Sequence, residues 1–212
     1  MNPDYEAPEG ELPPLIVNVH GGPTSSVRPG LQIPFQYWTS RGFAVLDVNF
    51  RGSTSFGRPY RERLNGNWGV MDVQDCIDGA QYLIDLGRVD PRRIAIRGRS
   101  SGGFTVLNAL ASSNVFTAGA SFSGIADLAK LAETSHKFES HYDQLLIGSD
   151  DVSDPVWAQR SPINRVDQIH APLLLLHGGE DPVVPAAQAE EMYEALRAGG
   201  NAVALKLYQG EG

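Results

Sequence analysis

A five-residue motif around Ser100 could supply a nucleophile. Residues 98–102 read Gly-Arg-Ser-Ser-Gly, with an apolar run before them and a helical pattern after them. This order fits the Gly-x-Ser-x-Gly turn, which joins a strand to a helix and exposes its middle serine above the sheet. Ser100 is therefore the candidate nucleophile, and the backbone N–H of Ser101 is the candidate donor to a developing oxyanion. An ordinary surface turn rich in glycine and serine is the alternative.

An acidic residue that could serve such a nucleophile follows the apolar run 173–176. A serine hydroxyl reacts poorly unless a histidine takes its proton, and that histidine needs a carboxylate to fix its tautomer. In hydrolases that use this turn, the order along the chain is serine, acid, histidine. Asp181 has the right place and order, and its neighbour Glu180 is less favoured. Capping of the helix predicted from Pro185 is the alternative role for Asp181.

A glycine-rich loop ends the first predicted strand. It reads His20-Gly21-Gly22-Pro23, and such glycines let backbone amides approach a bound carbonyl group. The loop with His20 and Gly21 is thus predicted to complete an oxyanion hole with Ser101. A tight turn that holds a structural histidine is the alternative.

These motifs need a scaffold that brings strand ends together. Short runs rich in Val, Ile and Leu predict strands, and several are apolar at nearly every position, as in a parallel sheet covered on both faces. The predicted strands are 15–19, 43–48, 93–96, 118–122, 173–176 and 202–208. Helical patterns lie between them, the clearest at 72–86 and 185–198. They predict a doubly wound, mostly parallel α/β sheet that binds ligands beyond the carboxyl ends of its strands.

A long segment without a strand pattern, residues 132–162, interrupts this alternation. We call it the excursion. Segments of this kind commonly form lids or pocket walls. Three of its aromatic residues, Phe138, Tyr142 and Trp157, are predicted to line a substrate pocket.

Signals for a metal ion or another cofactor are weak. His136 and His141, with Glu139 between them, are spaced like ligands, but no further ligand set accompanies them. No phosphate-binding loop is present either. We therefore expect neither a metal ion nor another cofactor. Cys76 falls on the apolar stripe of its helix and is expected in the core.

Composition limits the class of protein and its partners. The chain has 212 residues, of which 42% are hydrophobic and 20% charged, so a single domain over residues 1–212 is predicted. The net charge of −8 speaks against nucleic acid or an anionic membrane as the main partner. A single cysteine, no leader sequence and no apolar run of about 18 residues predict a cytoplasmic protein without a membrane span.

Five motifs, taken in order, resemble the catalytic domain of the prolyl oligopeptidase family, in its acylaminoacyl-peptidase and dipeptidyl-peptidase-like branch. They read HGGP, NFRGS, GRSSGG, SPI and HGGED and begin at His20, Asn49, Gly98, Ser161 and His177. The resemblance implies a serine peptidase of short peptides, with Ser100 as nucleophile and Asp181 orienting the base. It also implies an oxyanion hole made by the Ser101 amide and the loop at residues 20–21. The fold implied is that of an α/β-hydrolase.

Two departures from the family are expected to affect function. Full-length relatives carry an N-terminal β-propeller that restricts substrate size, and nothing in this sequence can form one. The family's catalytic histidine follows the last strand in a Gly-x-Gly-His context, whereas this chain ends at Gly210-Glu211-Gly212. We expect the histidine and the final helix beyond the chain end. Without that helix, one face of the sheet would lie open near Leu205 and Leu207.

The leading hypothesis is a serine peptidase that acts on short peptides by acyl transfer through a Ser-Asp-His triad. A carboxylesterase with the same triad is the nearest alternative, because an alkoxide leaves without the protonation that an amine requires. An inactive fragment that binds a peptide or a partner protein is the alternative from another class, since loss of the base costs on the order of 10⁶ in kcat. On this basis residues 1–212 alone are expected to be nearly inactive. A homo-oligomer is left open.

Overall fold

Six parallel strands form one sheet in the part of the chain that the structure describes. The computed structural model describes residues 8, 10–134 and 140–212. The strands are β1 (Leu15–Val19), β2 (Ala44–Val48), β3 (Ile94–Arg99), β4 (Ala118–Phe122), β5 (Leu173–Gly178) and β6 (Val203–Tyr208). They lie where the sequence predicted strands, and every neighbouring pair is parallel. The predicted parallel sheet is therefore confirmed.

Helices alternate with the strands along the chain. They are α1 (Ile33–Thr39), α2 (Arg58–Arg61), α3 (Met71–Asp85), α4 (Ser101–Ser112), α5 (Leu128–Thr134), α6 (Ser140–Ile147), α7 (Pro155–Arg160) and α8 (Ala187–Ala198), with 3₁₀ segments at Glu62–Leu64 and Pro162–Gln168. Helices α3 and α8 confirm the two clearest helical predictions. No helix in the described ranges has the length and apolar content needed to cross a bilayer.

The core lies on the face of the sheet that α3 and α4 cover. Val17, Ile94 and Ile96 point to this face and are completely buried. Cys76 of α3 is also completely buried, as its position on the apolar stripe predicted. Burial of these strands beneath helices is what their nearly continuous apolar sequence requires.

The open face of the sheet is the opposite one from that predicted. Along β6, Leu205 and Leu207 are half buried, whereas Lys206 and Tyr208 are exposed. Leu174, on the same face of the neighbouring strand, is 40% exposed. Side chains alternate between the two faces of a strand. Residues 206 and 208 therefore lie on the opposite face of β6 from residues 205 and 207, and it is their face that is open. The prediction of an open face at Leu205 and Leu207 is wrong for this reason.

The strand order reverses at β1, which has β2 on one side and β3 on the other. At such a reversal the loops that follow neighbouring strands diverge and leave a crevice at the carboxyl edge of the sheet. Open α/β sheets bind their ligands in this crevice. The glycine-rich loop follows β1 and Ser100 follows β3, so both lie beside it.

The excursion is attached to the core through Arg160. The guanidinium group of Arg160 donates hydrogen bonds to the carbonyl oxygens of Gly66, Trp68 and Ile147. The amide of Gly66 also donates to the carbonyl oxygen of Leu145 at 2.9 Å. The described residues of the excursion form helices and contain no strand. This part of the excursion therefore packs on the domain instead of extending from it.

A buried carboxyl group joins α3 to α4. Asp72 is completely buried. Its Oδ1 accepts a hydrogen bond from the amide of Gly69 at 2.7 Å, and its Oδ2 lies 2.5 Å from the hydroxyl group of Thr105. Burial raises the pKa of Asp72 to about 6, although these hydrogen bonds act in the opposite direction.

We expect the contribution of Asp72 to stability to fall as the pH rises from about 4 to about 6. Its pKa is higher in the folded chain than in the unfolded one, so below this range the group is neutral in both states, and above it the folded state carries a buried charge. The shift corresponds to roughly 3 kcal/mol of unfolding free energy. In urea denaturation, the free energy of unfolding of Asp72→Asn relative to that of the wild type should increase when the pH is raised from 5 to 7. The same difference in unfolding free energy between variant and wild type at pH 5 and at pH 7 would contradict a raised pKa of Asp72.

Candidate active site

Ser100 occupies a sharp turn between β3 and α4. Its backbone angles are φ 56° and ψ −124°, and a positive φ is strained for a residue with a side chain. The amide of Ser100 donates to the carbonyl oxygen of Phe122 at 2.8 Å, and its carbonyl oxygen accepts from the amide of Phe104 at 3.1 Å. These two bonds hold the strained turn. Its geometry is that expected of a nucleophile turn.

Two glycines make the turn possible. A Cβ atom on Gly98 would lie 2.4 Å from the carbonyl oxygen of Gly102, and one on Gly102 would lie 2.5 Å from the carbonyl oxygen of Val19. Both distances are far below van der Waals contact, so any side chain would push β3, α4 and the end of β1 apart. The motif therefore needs glycine at both positions for close packing.

The loop after β1 lies directly beside Ser100. A Cβ atom on Gly21 would lie 3.0 Å from the carbonyl oxygen of Arg99 and 3.6 Å from Cβ of Ser100. Ser101 is the first residue of α4 and is buried, and the first amides of a helix have no partner within that helix. The structure thus brings the predicted nucleophile and the two predicted oxyanion donors together.

His20 is held in a fixed orientation by both of its ring nitrogens. Nδ1 lies 2.8 Å from the carbonyl oxygen of Gly21, and Nε2 lies 2.8 Å from the hydroxyl oxygen of Ser53. A carbonyl oxygen only accepts, so Nδ1 donates to it, and in the neutral ring Nε2 accepts from Ser53. The ring stacks on Phe50 with centroids 4.3 Å apart. Burial lowers the pKa of His20, which favours this neutral form.

An ion pair fixes the turn that carries Ser53. The guanidinium group of Arg51 lies 2.6 Å from Oδ1 of Asp75 on α3, and the amide of Arg51 donates to Oδ2 at 2.6 Å. Ser53 is completely buried. Ser53 belongs to the motif NFRGS, but no local pattern in the sequence shows that it contacts His20.

Asp181 lies three residues after β5 in a turn that supplies hydrogen-bond donors to it. Its Oδ1 accepts from the amides of Val183 at 3.0 Å and Val184 at 2.9 Å. Burial acts to raise the pKa of Asp181, but these two amides and the hydroxyl group of Ser123 outweigh it and leave the pKa below its usual value. The carboxylate is therefore ionised. Helix α8 begins only at Ala187, so Asp181 does not cap that helix.

Ser123 is another residue that sequence analysis missed. It follows β4, is largely buried and has a positive φ of 44°. Its amide donates to the carbonyl oxygen of Leu176 at 2.8 Å. This backbone geometry places its hydroxyl group at Asp181. A serine with positive φ has no recognisable local signature, so only the structure reveals it.

His177 and His141 are engaged elsewhere than at Ser100. Nε2 of His177 donates to the carbonyl oxygen of Val184 at 2.8 Å and lies 4.0 Å from Oδ2 of Asp181. His141 is exposed, with Nδ1 3.0 Å from Oε1 of Gln144. In the described ranges, no hydrogen bond joins the hydroxyl group of Ser100 to a histidine. His136 lies outside those ranges.

The segment after β6 runs along the turn that carries Asp181. The carbonyl oxygen of Glu211 accepts from the amide of Glu180 at 2.9 Å. A Cβ atom on Gly212 would lie 2.7 Å from the carbonyl oxygen of Glu180 and 3.5 Å from the amide of Asp181. A cavity of about 350 Å³ opens beside this contact. Its lining includes Arg99, Phe122, Ser123, His177, Tyr208 and Gly212.

The three predicted pocket residues have different environments. Tyr142 is half buried, and its hydroxyl group hydrogen bonds to Thr24. Trp157 is only 1% exposed and belongs to the core, which does not fit a side chain on a pocket wall. Phe138 lies outside the described residues. No group of three or more His, Cys, Asp or Glu side chains that could hold a metal ion occurs in the part of the chain that the structure describes.

The parallel sheet with a serine turn between β3 and α4 is an α/β-hydrolase fold. Residues 29–212 match the profile of the Prolyl oligopeptidase family. The chain belongs to this family. Its curated relatives include serine peptidases of the same family.

Two curated relatives show the range of the family. The chain is 35% identical over 205 residues to dipeptidyl aminopeptidase BIII of Pseudoxanthomonas mexicana, covering 94% of this chain and 30% of the relative. It is 33% identical over 214 residues to the mouse acylamino-acid-releasing enzyme, covering 95% of this chain and 29% of the relative. The chain thus spans about a third of the length of these relatives.

Solved structures agree with this assignment. A Mycobacterium tuberculosis puromycin-hydrolyzing peptidase superimposes with a TM-score of 0.96 at 48% identity, over 99% of this chain and 32% of that one. The acylaminoacyl peptidase of Pyrococcus horikoshii superimposes with a TM-score of 0.90 at 31% identity, over 98% of this chain and 34% of that one. The fold and the arrangement of its elements are therefore those of known peptidases.

Proposed function

We propose that this chain is the hydrolase domain of a serine peptidase that cleaves short peptides by acyl transfer. The observation that carries the proposal is the strained turn at Ser100 with the Gly21 loop packed directly beside it. In this role residues 1–212 act as one catalytic unit. A β-propeller elsewhere in the full-length protein would restrict substrate size, and a homo-oligomer is compatible with the proposal.

The proposed reaction assigns a group to each step. Oγ of Ser100 attacks the carbonyl carbon while its proton passes to an imidazole base. The oxyanion accepts hydrogen bonds from the amide of Ser101 and from a backbone amide of the loop with Gly21. The imidazolium then protonates the leaving amine, and water hydrolyses the acyl-enzyme by the reverse sequence. Asp181 holds the base in the required tautomer and stabilises its charge.

We propose that the base is a histidine that follows Gly212. Two observations support this position. The segment after β6 lies against the backbone of Glu180 and Asp181, so a residue next along the chain would start beside the turn that carries Asp181. The cavity of about 350 Å³ is lined by Arg99, next to Ser100, by Ser123 and by Gly212, and it offers space for a side chain there.

The substrate class is tested by comparing amide and ester cleavage. Because relatives include a puromycin-hydrolyzing peptidase at 48% identity, puromycin and aminoacyl-anilides are the amide probes, and short acyl esters are the comparison. We expect the full-length gene product to cleave the amides, with kcat/KM lower by on the order of 10⁶ for residues 1–212 alone, which would lack the base.

Other outcomes identify the alternatives. Ester hydrolysis with negligible amide cleavage would show a carboxylesterase. Absence of both activities, with Ser100 unlabelled by a fluorophosphonate in the full-length protein, would contradict catalysis and favour the alternative of a domain that only binds a peptide or a partner. We also propose a cytoplasmic location. Cys76 is a free, buried thiol, and free thiols suit a reducing compartment.

A further inference from the structure

The loop at residues 20–25, here called the oxyanion loop, is anchored at both of its ends. At its start, His20 binds Ser53. At its end, the carbonyl oxygen of Ser25 accepts from the amide of Thr54 at 2.7 Å. Gly21 and Gly22 lie between these anchors, and glycine restricts the backbone least of all residues. The carbonyl oxygens of Gly21 and Pro23 accept bonds from His20 and Ser25, but both bonds lie within the loop, so a contact from outside is needed to fix its middle relative to the domain.

Tyr142 of α6 supplies such a contact at Thr24. Its hydroxyl oxygen accepts a hydrogen bond from the amide of Thr24 at 3.2 Å and lies 2.5 Å from the hydroxyl oxygen of Thr24. Both bonds form together, because the Tyr142 oxygen accepts from the amide while its own proton can be donated to the Thr24 side chain. Two bonds to one residue restrict both the position and the rotation of this part of the loop.

Helix α6 is itself held on the domain. The carbonyl oxygens of Leu145 and Leu146 accept from the amides of Gly66 and Trp68 at 2.9 and 3.2 Å. The guanidinium group of Arg160 binds the carbonyl oxygen of Ile147. Tyr142 therefore extends from a fixed helix, and the aromatic ring packs against the hydrophobic core. Because α6 is fixed, the bonds from the Tyr142 hydroxyl group to Thr24 fix the oxyanion loop relative to the domain.

We propose that Tyr142 is a positioning residue that holds the oxyanion loop in the geometry required for catalysis. The proposal rests on the proposed function, because it assumes that a loop amide binds the oxyanion. Donors of this kind stabilise the oxyanion only when they lie within hydrogen-bond distance of the position that it will occupy. A loop that samples other positions would bind substrate nearly as well but stabilise the transition state less.

The proposal differs measurably from two simpler roles of Tyr142. A side chain on the pocket wall would contact substrate, so its alteration would change KM. A side chain that only fills space would be replaced without loss by phenylalanine, which retains the ring. A positioning role through the hydroxyl group instead predicts a lower kcat with nearly constant KM when that group is removed.

The first measurement does not require activity. Amide hydrogen exchange by NMR on residues 1–212 should show at least about tenfold faster exchange at Thr24 and its neighbours in Tyr142→Phe. Tyr82→Phe is the matched control, because Tyr82 is 63% exposed on α3, and it should leave this exchange unchanged. Unchanged exchange in Tyr142→Phe would overturn the proposal even if the protein proved inactive.

The second measurement uses turnover by the full-length gene product. We expect Tyr142→Phe to lower kcat about tenfold, a part of the 10²–10³ that a whole oxyanion donor contributes, with KM within about twofold. Thr24→Val should have the same effect, because valine lacks the hydroxyl group that pairs with Tyr142. Thr24→Ser keeps this hydroxyl group and should keep the kcat of the wild type. A change in KM alone, or faster exchange with unchanged kcat, would overturn the positioning role. If the wild type does not turn over, the proposed function fails and the exchange result still decides whether Tyr142 holds the loop.

Discussion

Ser100→Ala is expected to lower kcat of the full-length gene product by on the order of 10⁶ and to abolish labelling by a fluorophosphonate. Removal of the nucleophile from a serine-protease triad has an effect of this size, because the base and the acid cannot act without it. The substitution should leave stability almost unchanged or raise it slightly, since the strained φ of 56° at Ser100 is no worse for alanine. Kinetics with an aminoacyl-anilide and a thermal unfolding curve would test both statements.

The neighbouring serine provides the discriminating variant. The hydroxyl group of Ser101 is buried and has no hydrogen-bond partner among the described residues, and its proposed role uses only the backbone amide. Ser101→Ala should therefore keep labelling and lose no more than about tenfold in kcat. A larger loss in Ser101→Ala than in Ser100→Ala would show that the roles of the two serines have been exchanged.

Asp181→Asn is expected to lower kcat by on the order of 10⁴. An amide in place of the carboxylate retains the shape but favours the wrong tautomer of the base and does not stabilise its positive charge. The turn at Asp181 donates two amides to the carboxylate, and the Oδ1 of asparagine can still accept them. The loss should therefore appear in kcat without a comparable loss of folding, as circular dichroism and kinetics on the same sample would show.

Glu180 provides the control for this prediction. Glu180 is the adjacent acid, its side chain is exposed, and it was the competing candidate in the sequence. Glu180→Gln should retain kcat within about threefold, in line with the small effects of most exposed substitutions. A loss in Glu180→Gln that equals the loss in Asp181→Asn would contradict the assignment of Asp181 as the acid of the triad.

The scaffold was predictable because its signals are local. The strands at 15–19 and 118–122 have the predicted limits, since apolar runs bounded by turn residues specify buried parallel strands. The turn at Ser100 was predictable for a similar reason, because two glycines and a serine at fixed spacing leave the chain few alternative geometries. Asp181 could be proposed as the acid because its place after a buried strand is also a local property.

Contacts between distant residues were not predictable in the same way. Tyr142 was interpreted as a pocket residue from its place in the excursion, yet its hydroxyl group binds Thr24, 118 residues away. Ser53 binds His20 across 33 residues. Trp157 was predicted to line a pocket, but it is buried because α7 packs toward the core. An aromatic residue in an irregular segment has the same local pattern in each of these environments.

The sequence by itself determined the family, the parallel sheet and the order of the candidate catalytic residues. These follow from short-range patterns, whose physical basis is steric restriction at glycines and the burial of apolar strands. Only the tertiary structure decided which groups act on those residues: Ser53 on His20, Ser123 on Asp181, and Tyr142 on the oxyanion loop. These contacts depend on where separate strand ends and helices meet, and that is set by packing of the whole domain rather than by any local stretch of chain.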